Sequence, residues 1–139
     1  MKQHFSTVHL KTRGPGLYVF ADKAKAFVAE SHVHQGLLTC FVRHTSASLV
    51  IQENADPDVL HDLAQFMNRL VSRDEDLYRH TTEGPDDMPG HIRSMLTQSS
   101  LSIPVQSGRM ILGTWQGLYL FEHRDAPTER EVVLHIIGE

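Results

Sequence analysis

Residues 78–92, with the sequence YRHTTEGPDDMPGHI, interrupt an otherwise regular succession of apolar strands and amphipathic helices. The segment holds two histidines, three acidic residues, two prolines and two glycines within fifteen residues. It has neither the alternation of a strand nor the 3.6-residue period of a helix. Because polar, turn-rich segments of this composition often carry function, we interpret the remainder of the chain as a scaffold that presents this loop.

The composition is that of one globular domain spanning residues 1–139, with 40% hydrophobic and 22% charged residues. The net charge of -4 disfavours a nucleic-acid-binding protein, which usually has a basic face. No apolar run is long enough to span a membrane. The first fourteen residues contain no apolar segment of a signal peptide, and the only cysteine is Cys40. We therefore expect a cytoplasmic protein without disulfides or membrane contact.

The hydrophobic pattern predicts many short strands and a few helices. Strands are predicted at residues 3–12, 17–20, 37–42, 49–51, 101–105, 109–114, 117–124 and 130–137, and helices at 23–30, 56–71 and 91–97. Asp22 and Asp56 are the predicted N-caps of the first two helices, and Gly36 is expected to close a turn. These elements indicate an α+β fold in a single compact domain, with a β-sandwich-like core of mixed or antiparallel strands and two to three helices.

The loop itself contains candidate metal ligands. His80 and His91 are separated by Glu83, Asp86 and Asp87, and imidazole nitrogens with carboxylate oxygens suit Zn²⁺ and related ions. The spacing matches no standard zinc motif, so hydrogen bonding within an ordered loop is the alternative. A closed zinc site needs four ligands, or three with water, so a further ligand is expected from outside the loop.

A second polar block, Arg43-His44-Thr45-Ser46-Ala47-Ser48, lies between two apolar runs. Its guanidinium, imidazole and hydroxyl groups suit a phosphate or a metal ligand, although hydroxyls at a strand end also satisfy the backbone. Arg124 and Arg130 bracket a loop and are interpreted as a possible phosphate fork, or as solvated charges. Trp115 and Gln116 lie between two strands, where the indole is either buried or able to stack on a ligand ring. Cys40, within an apolar run, is expected to be inert core.

Five separated segments of the chain closely resemble the secondary thiamine-phosphate synthase family, also called YjbQ-like. The segments are RHTSASL at 43–49, ENADP at 53–57, EGPDDMPGHI at 83–92, LGTWQG at 112–117 and the closing GE at 138–139. The resemblance spans nearly the whole chain. It implies a YjbQ-like fold, a homotrimer, and a histidine site that we assign to His44, His80 and His91, with zinc as the expected ion and magnesium as the alternative.

The family name implies that a hydroxymethylpyrimidine diphosphate is joined to a thiazole phosphate, as a secondary activity. We assign Arg43, Glu83 and Asp87 to catalysis. The residues assigned to substrate binding are Thr45, Ser46, Ser48, Asn54, Asp56, Thr114, Trp115, Gln116, Arg124 and Arg130. Two alternatives stay open: a trimeric metal protein with a structural or ligand-sensing role, and a metal-assisted hydrolase with Glu83 as general base.

Overall fold

A computed structural model describes the chain over residues 1–139. The strands are β1 (Lys2–Thr12), β2 (Gly16–Val19), β3 (Gln35–Val42), β4 (Ala47–Glu53), β5 (Ser100–Gln106), β6 (Arg109–Met110), β7 (Gln116–Glu122) and β8 (Thr128–Gly138). The helices are α1 (Ala21–Ser31), α2 (Pro57–Leu70) and α3 (Asp87–Leu96). A single 3₁₀ turn covers Glu75–Leu77. None of the helices is both long and apolar enough to cross a membrane.

The strands form two antiparallel sheets. The larger sheet has the order β1-β8-β3-β5-β6, and the smaller has the order β2-β7-β4. Every neighbouring pair is antiparallel, which is one of the two strand arrangements that the sequence left open. The inner faces of both sheets and the apolar face of α1 share one hydrophobic core. The predicted α+β domain with a sandwich-like core and three helices is confirmed.

Strand β8 shows how the larger sheet divides its residues between core and surface. Val132, Leu134 and Ile136 are fully buried, whereas the residues between them face outward. This alternation follows from the two-residue period of a strand. The outer sheet face, formed by Phe5, Leu37, Phe41, Val133 and Ile137, carries apolar side chains that no other element of the chain covers, and Phe5, Leu37 and Phe41 are 70%, 40% and 46% exposed.

The helix starts agree with the sequence in one case and differ in another. The Asp56 carboxylate accepts a hydrogen bond from the Asp58 amide at 2.9 Å, with Pro57 at the first helical position, which confirms the predicted cap of α2. Asp22 does not cap α1: the N-cap position is Phe20, and Asp22 lies in the first turn. There its negative charge favours the positive end of the helix dipole.

Two predicted boundaries near the candidate loop are wrong. Helix α3 begins at Asp87 rather than at His91, and Pro89 is accommodated in its first turn, where a missing amide proton removes no intrahelical hydrogen bond. The strand predicted at residues 109–114 ends at Met110, because only Arg109 and Met110 pair with β5. The chain then leaves the larger sheet and crosses to β7 in the smaller one.

Gly36 lies within β3 and does not close a turn as predicted. It pairs with Gly138 of β8, and the two backbones approach so closely that a Cβ on either residue would collide with backbone atoms of the other strand. The absence of a side chain at both positions therefore permits the two paired strands to approach this closely.

We expect Gly36→Ala to lower the free energy of unfolding by about 2 kcal/mol or more, because backbone atoms must shift to accept the methyl group. Urea unfolding followed by circular dichroism measures the change. Gly113→Ala is the matched control, since the nearest atoms there belong to the flexible Gln116 side chain. A loss of stability in Gly36→Ala no larger than in the control would contradict the close approach of the two strands at Gly36 and Gly138.

Candidate functional site

The beginning of α3 brings two of the candidate ligands onto one helical face. Asp87 and His91 are four residues apart in the helix, a spacing that places side chains one above the other. His80 reaches them from the preceding loop. The Asp87 Oδ2 atom lies 2.7 Å from His80 Nε2 and 3.1 Å from His91 Nε2. We call these three residues the His80–Asp87–His91 cluster.

The geometry of the cluster suits a cation. The two imidazole nitrogens and the carboxylate oxygen all lie within 4.8 Å of one another. Two histidines with one carboxylate form the protein part of open catalytic zinc sites, and of sites for Fe²⁺, in which water or substrate completes the coordination. His80 is exposed and His91 is half-buried, so the convergent atoms are reachable from solvent. The same atoms also form an internally hydrogen-bonded His–Asp–His arrangement.

Negative charge predominates around the cluster. Glu83 Oε2 lies 3.6 Å from His80 Nε2, and Asp86 is buried beside Asp87. Three carboxylates therefore lie in or beside the cluster, and the guanidinium of Arg124 pairs with two of them, Asp86 and Asp87. Burial raises the pKa of Asp87, but the hydrogen bond with His80 and the positive charge of Arg124 outweigh it, so the net effect lowers the pKa. Asp87 is thus an ionised carboxylate at neutral pH.

Arg124 fastens the loop to the smaller sheet. Its Nη1 atom donates to Asp87 Oδ1 at 2.6 Å, its Nε atom to Asp86 Oδ2 at 2.9 Å, and its Nη2 atom to the Glu83 carbonyl at 3.1 Å. The Asp125 amide also donates to Asp86 Oδ2 at 2.9 Å. Arg124 lies two residues after the end of β7, directly after His123. Its hydrogen bonds therefore fix the position of Asp87 relative to the end of that strand.

The expected phosphate fork of Arg124 and Arg130 does not form, because both guanidinium groups are occupied by carboxylates. Arg130 is buried and donates to Glu122 Oε1 through Nε at 2.8 Å, and its Nη2 atom donates to Glu122 Oε2 and to Ser46 Oγ. Glu122 also accepts from Thr12 Oγ1 at 2.6 Å. These residues form a buried ion pair between the two sheets rather than a ligand site.

His44 lies apart from the cluster to which the resemblance assigns it. Its Nε2 atom accepts a hydrogen bond at 3.0 Å from the backbone amide of Glu131, a residue of β8. Burial and the nearby charge of Arg130 lower the pKa of His44, which keeps the ring neutral and able to accept that bond. Within one chain, the third candidate ligand beside His80 and His91 is therefore Asp87.

The rest of the polar block is divided between surface and interior. The side chains of Arg43 and Thr45 are exposed and make no hydrogen bond within the chain. Ser46 is held by Arg130, and Ser48 Oγ lies 2.9 Å from His123 Nε2. Helix α3 packs directly on this block, since a Cβ on Gly90 would lie 3.5 Å from Ser46 Cβ. The block thus supports α3 from behind.

The remaining predicted substrate-binding residues lie at the other end of β7. Gln116 begins the strand opposite Glu53, and Trp115 accepts a hydrogen bond from the Asn54 amide through its carbonyl. Asp56 caps α2, Thr114 is exposed, and the Trp115 indole is 62% exposed. A strand of seven residues spans roughly 20 Å. Within one chain, a ring stacked on Trp115 cannot reach the His80–Asp87–His91 cluster.

Three buried polar residues of this region were not singled out from the sequence: Arg93, Glu122 and His123. Glu122 is the last residue of the apolar strand β7, and His123 directly follows it. Arg93 is one turn beyond Pro89 in α3. The only local signal is a charged residue next to an apolar run, which is common at strand ends. Cys40 is fully buried as expected, and burial raises the pKa of its thiol to about 12.

The fold and the cluster define a small antiparallel α+β protein with one surface His–Asp–His site. The chain belongs to the UPF0047 family of YjbQ-like proteins, whose family model matches residues 6–139. It is 56% identical over 138 residues to the UPF0047 protein sll1880 of Synechocystis, covering 99% of this chain and 94% of that protein. It is 41% identical over 134 residues to YjbQ of Escherichia coli O157:H7, covering 96% of each.

Solved structures agree with this assignment. An uncharacterised YjbQ/UPF0047 protein of Clostridium acetobutylicum superposes with a TM-score of 0.88 at 35% identity, covering 95% of this chain and 99% of that one. A YjbQ-like protein of unknown function from Sulfolobus solfataricus has a TM-score of 0.91 at 22% identity, covering 99% of both chains. The predicted YjbQ-like fold is confirmed.

We expect Glu122→Gln to destabilise the protein by about 3–5 kcal/mol near neutral pH, because it leaves the Arg130 charge buried without a partner. Burial raises the pKa of Glu122, but bonds from Arg130 and Thr12 outweigh it and lower the pKa below its ordinary value. The stabilisation is therefore present above the unfolded-state pKa of roughly 4.3 and is lost as pH falls through the folded-state value. Urea unfolding between pH 7 and pH 3 measures it.

The exposed Glu30→Gln variant serves as the control for that series. Wild type and Glu30→Gln should lose stability in parallel on acidification, whereas Glu122→Gln should lose less. An identical acid dependence in all three proteins would show that Glu122 contributes no ionised stabilisation.

Proposed function

We propose that the chain is a metal-dependent protein that acts on a phosphorylated small molecule at the His80–Asp87–His91 cluster. The observation that carries the proposal is the convergence of His80 Nε2, Asp87 Oδ2 and His91 Nε2 within 4.8 Å at a solvent-reachable surface. Helix α3 supplies two of these atoms and Arg124 restrains the third residue's loop, so the donors are held in position before an ion binds.

The donor atoms favour zinc over magnesium. Imidazole nitrogen is a preferred ligand of Zn²⁺, whereas Mg²⁺ prefers six oxygen ligands and keeps much of its water. A magnesium ion would rely on Asp87 and Glu83 alone among the nearby side chains. When bound, a divalent ion supplies a Lewis acid that draws charge from phosphate oxygens.

The charge of the site explains why a cation is needed for a phosphorylated substrate. Glu83, Asp86 and Asp87 outnumber the single guanidinium of Arg124, whose donors are already paired with them. An unaccompanied phosphate group is therefore repelled. Arg43 and Arg79 are exposed cations without carboxylate partners in the chain, but neither is part of the cluster. We expect substrate to bind only after the cation.

The reaction that we propose is a transfer of the thiamine-phosphate synthase type, which rests on the family resemblance. The thiazole nitrogen attacks the methylene carbon of the pyrimidine, a C–N bond forms, and the C–O bond to the diphosphate breaks as pyrophosphate leaves. Glu83, which is exposed beside His80, would accept a hydrogen bond from the exocyclic amine of the pyrimidine, and Asp87, whose side chain is buried, would contribute by holding the ion. Arg43 would offset charge on the leaving pyrophosphate.

Trp115 takes part in this reaction only if another chain supplies it, because it lies at the far end of β7. We therefore propose a homotrimer in the cytoplasm, in agreement with the resemblance. The outer sheet face supports the assembly: Phe5, Leu37 and Phe41 present exposed apolar area on a single side of the larger sheet. Apolar patches of this kind typically mark protein–protein contacts.

A metal-assisted hydrolase is the second candidate function. Glu83 Oε2 lies 3.6 Å from His80 Nε2, and the Glu83 side chain is 62% exposed, so it is positioned to accept a proton from an attacking water. Phosphate esters and amides assayed with zinc, with magnesium and with chelator distinguish this reaction from transfer. A metal site without any turnover is the third candidate and corresponds to a structural or ligand-sensing role.

We expect chelator-treated protein to take up about one zinc ion per chain, and Asp87→Asn and His91→Ala to weaken zinc binding more than about 100-fold. The zinc-loaded protein should form thiamine phosphate from the two precursors, and His80→Ala should abolish it. Elemental analysis and isothermal titration calorimetry measure the metal, and product chromatography measures the reaction. His61→Ala, an exposed histidine beside Asp62, is the control.

Two results would count against the proposal in different ways. Equal zinc binding by Asp87→Asn, His91→Ala and wild type would remove the metal site. Zinc binding that depends on the cluster, with no thiamine phosphate formed by the zinc-loaded wild type, would reject the transferase and leave the hydrolase or the non-catalytic metal protein.

We expect the protein in solution to have three times the 15.7 kDa mass of one chain and Phe41→Glu to dissociate it, because a charge would then lie in an apolar contact. Light scattering after size-exclusion chromatography measures the mass. Phe66→Glu, a 52% exposed residue on α2, should leave it unchanged. A wild-type protein of single-chain mass at micromolar concentration would reject the trimer.

A further inference from the structure

A small polar cavity lies between α2, the beginning of β2, the end of β7 and α3. Its volume is ≈ 100 Å³, well above the roughly 10–15 Å³ that one water molecule needs. Arg93, Glu122 and His123 line it together with Met67 and Phe121. It is separate from the His80–Asp87–His91 cluster, none of whose residues contributes to its wall.

Arg93 is a buried cation without a carboxylate partner. It is 4% exposed, its Nε atom has no hydrogen-bond acceptor, and its only hydrogen bond is a long one from Nη2 to the Val71 carbonyl at 3.5 Å. Burial lowers the pKa of Arg93, but an arginine stays protonated in proteins. The contrast with Arg130, which is equally buried but paired with Glu122, indicates that a counter-charge is missing.

His123 provides a second unpaired polar atom on the same wall. It is 1% exposed, its Nε2 atom lies 2.9 Å from Ser48 Oγ, and its Nδ1 atom has no partner. Burial, and then the charge of Arg93, lowers the pKa of His123 to about 3, so the ring carries one proton at neutral pH. When Ser48 donates its hydroxyl proton to Nε2, the ring proton is on Nδ1, which becomes a free donor.

Counted together with Arg130, which pairs with Glu122, the charges around the cavity add up to one unit of positive charge. Glu122 is the only acid in it, and both of its oxygens are engaged by Arg130 and by the backbone amides of His123 and Arg124. Arg93 is the only other charged residue of the wall. A single anion would therefore neutralise the cavity and accept hydrogen bonds from the guanidinium.

We propose that this cavity binds one small oxyanion group, a carboxylate or a phosphate, with Arg93 as the principal ligand and His123 Nδ1 as the second donor. The site is independent of the proposed metal site, because Arg93 and His91 are two residues apart in α3 and project to opposite sides of the helix. The helix thus carries a cation-binding face and an anion-binding face.

The oxyanion is either free or the head of a larger molecule. Met67 and Phe121 also line a second cavity of ≈ 490 Å³, whose walls are mostly apolar side chains of α2, β4 and β2. A carboxylic acid with an apolar chain would place its head beside Arg93 and its chain in this neighbouring cavity. Inorganic phosphate or acetate would occupy the small cavity alone.

Thermal unfolding of the full chain tests the proposal. After treatment with chelator and dialysis, sodium phosphate, acetate or octanoate is added at constant ionic strength, balanced with sodium chloride. We expect at least one anion to raise Tm saturably by about 3 °C or more, and Arg93→Met to abolish the rise. A preference for octanoate identifies an apolar ligand with an acidic head, and a preference for phosphate identifies the free ion.

Arg69→Met, an exposed arginine on α2, is the matched control and should keep the full rise, as should His80→Ala. A second measurement uses only wild type: titration of the bound anion should shift the Nε–H resonance of Arg93 in ¹H–¹⁵N spectra. The proposal is rejected if no anion gives a saturable rise, if Arg93→Met responds like wild type, or if His80→Ala removes the response.

Discussion

The Arg124 guanidinium joins the two parts of the structure on which the candidate site depends. It binds Asp86, Asp87 and the Glu83 carbonyl, all in the loop and first turn that lead into α3. It lies two residues after the end of β7, the central strand of the smaller sheet. Without this attachment, the loop that contains Gly84 and Pro85 would have many conformations, and His80 would not be held beside Asp87.

The two buried arginines near β7 differ in whether a carboxylate compensates their charge. Glu122 and Arg130 form a buried pair in which Thr12, Ser46 and backbone amides complete the hydrogen bonding. Such a pair is compatible with a stable core because each charge is compensated. Arg93, only a short distance along the same wall, has no such partner, and this difference is what assigns a ligand to the polar cavity rather than a structural role to the arginine.

Strand β7 also determines how the polar residues can act together. Trp115 and Gln116 lie at its start, and His123 and Arg124 directly follow its last residue. A rigid strand keeps these groups roughly 20 Å apart. A reaction that uses both groups thus requires two chains, whereas metal binding at the His80–Asp87–His91 cluster requires one. The proposed reaction would therefore take place between chains of the proposed trimer, whose proposed contact surface is the outer sheet face.

The sequence by itself determined the features that depend on local patterns. Apolar periodicity located α2 and most strands, Asp56-Pro57 located a helix start, and the composition of residues 78–92 located the cluster. His80 and His91 were predicted as metal ligands and Asp87 as a catalytic residue of the same loop, whereas the predicted third ligand, His44, lies elsewhere. The tertiary structure alone decided the long-range partners: Asp87 for Arg124, Glu122 for Arg130, Glu131 for His44, and none for Arg93. These pairings depend on sheet register and helix packing between distant segments, which local composition does not encode.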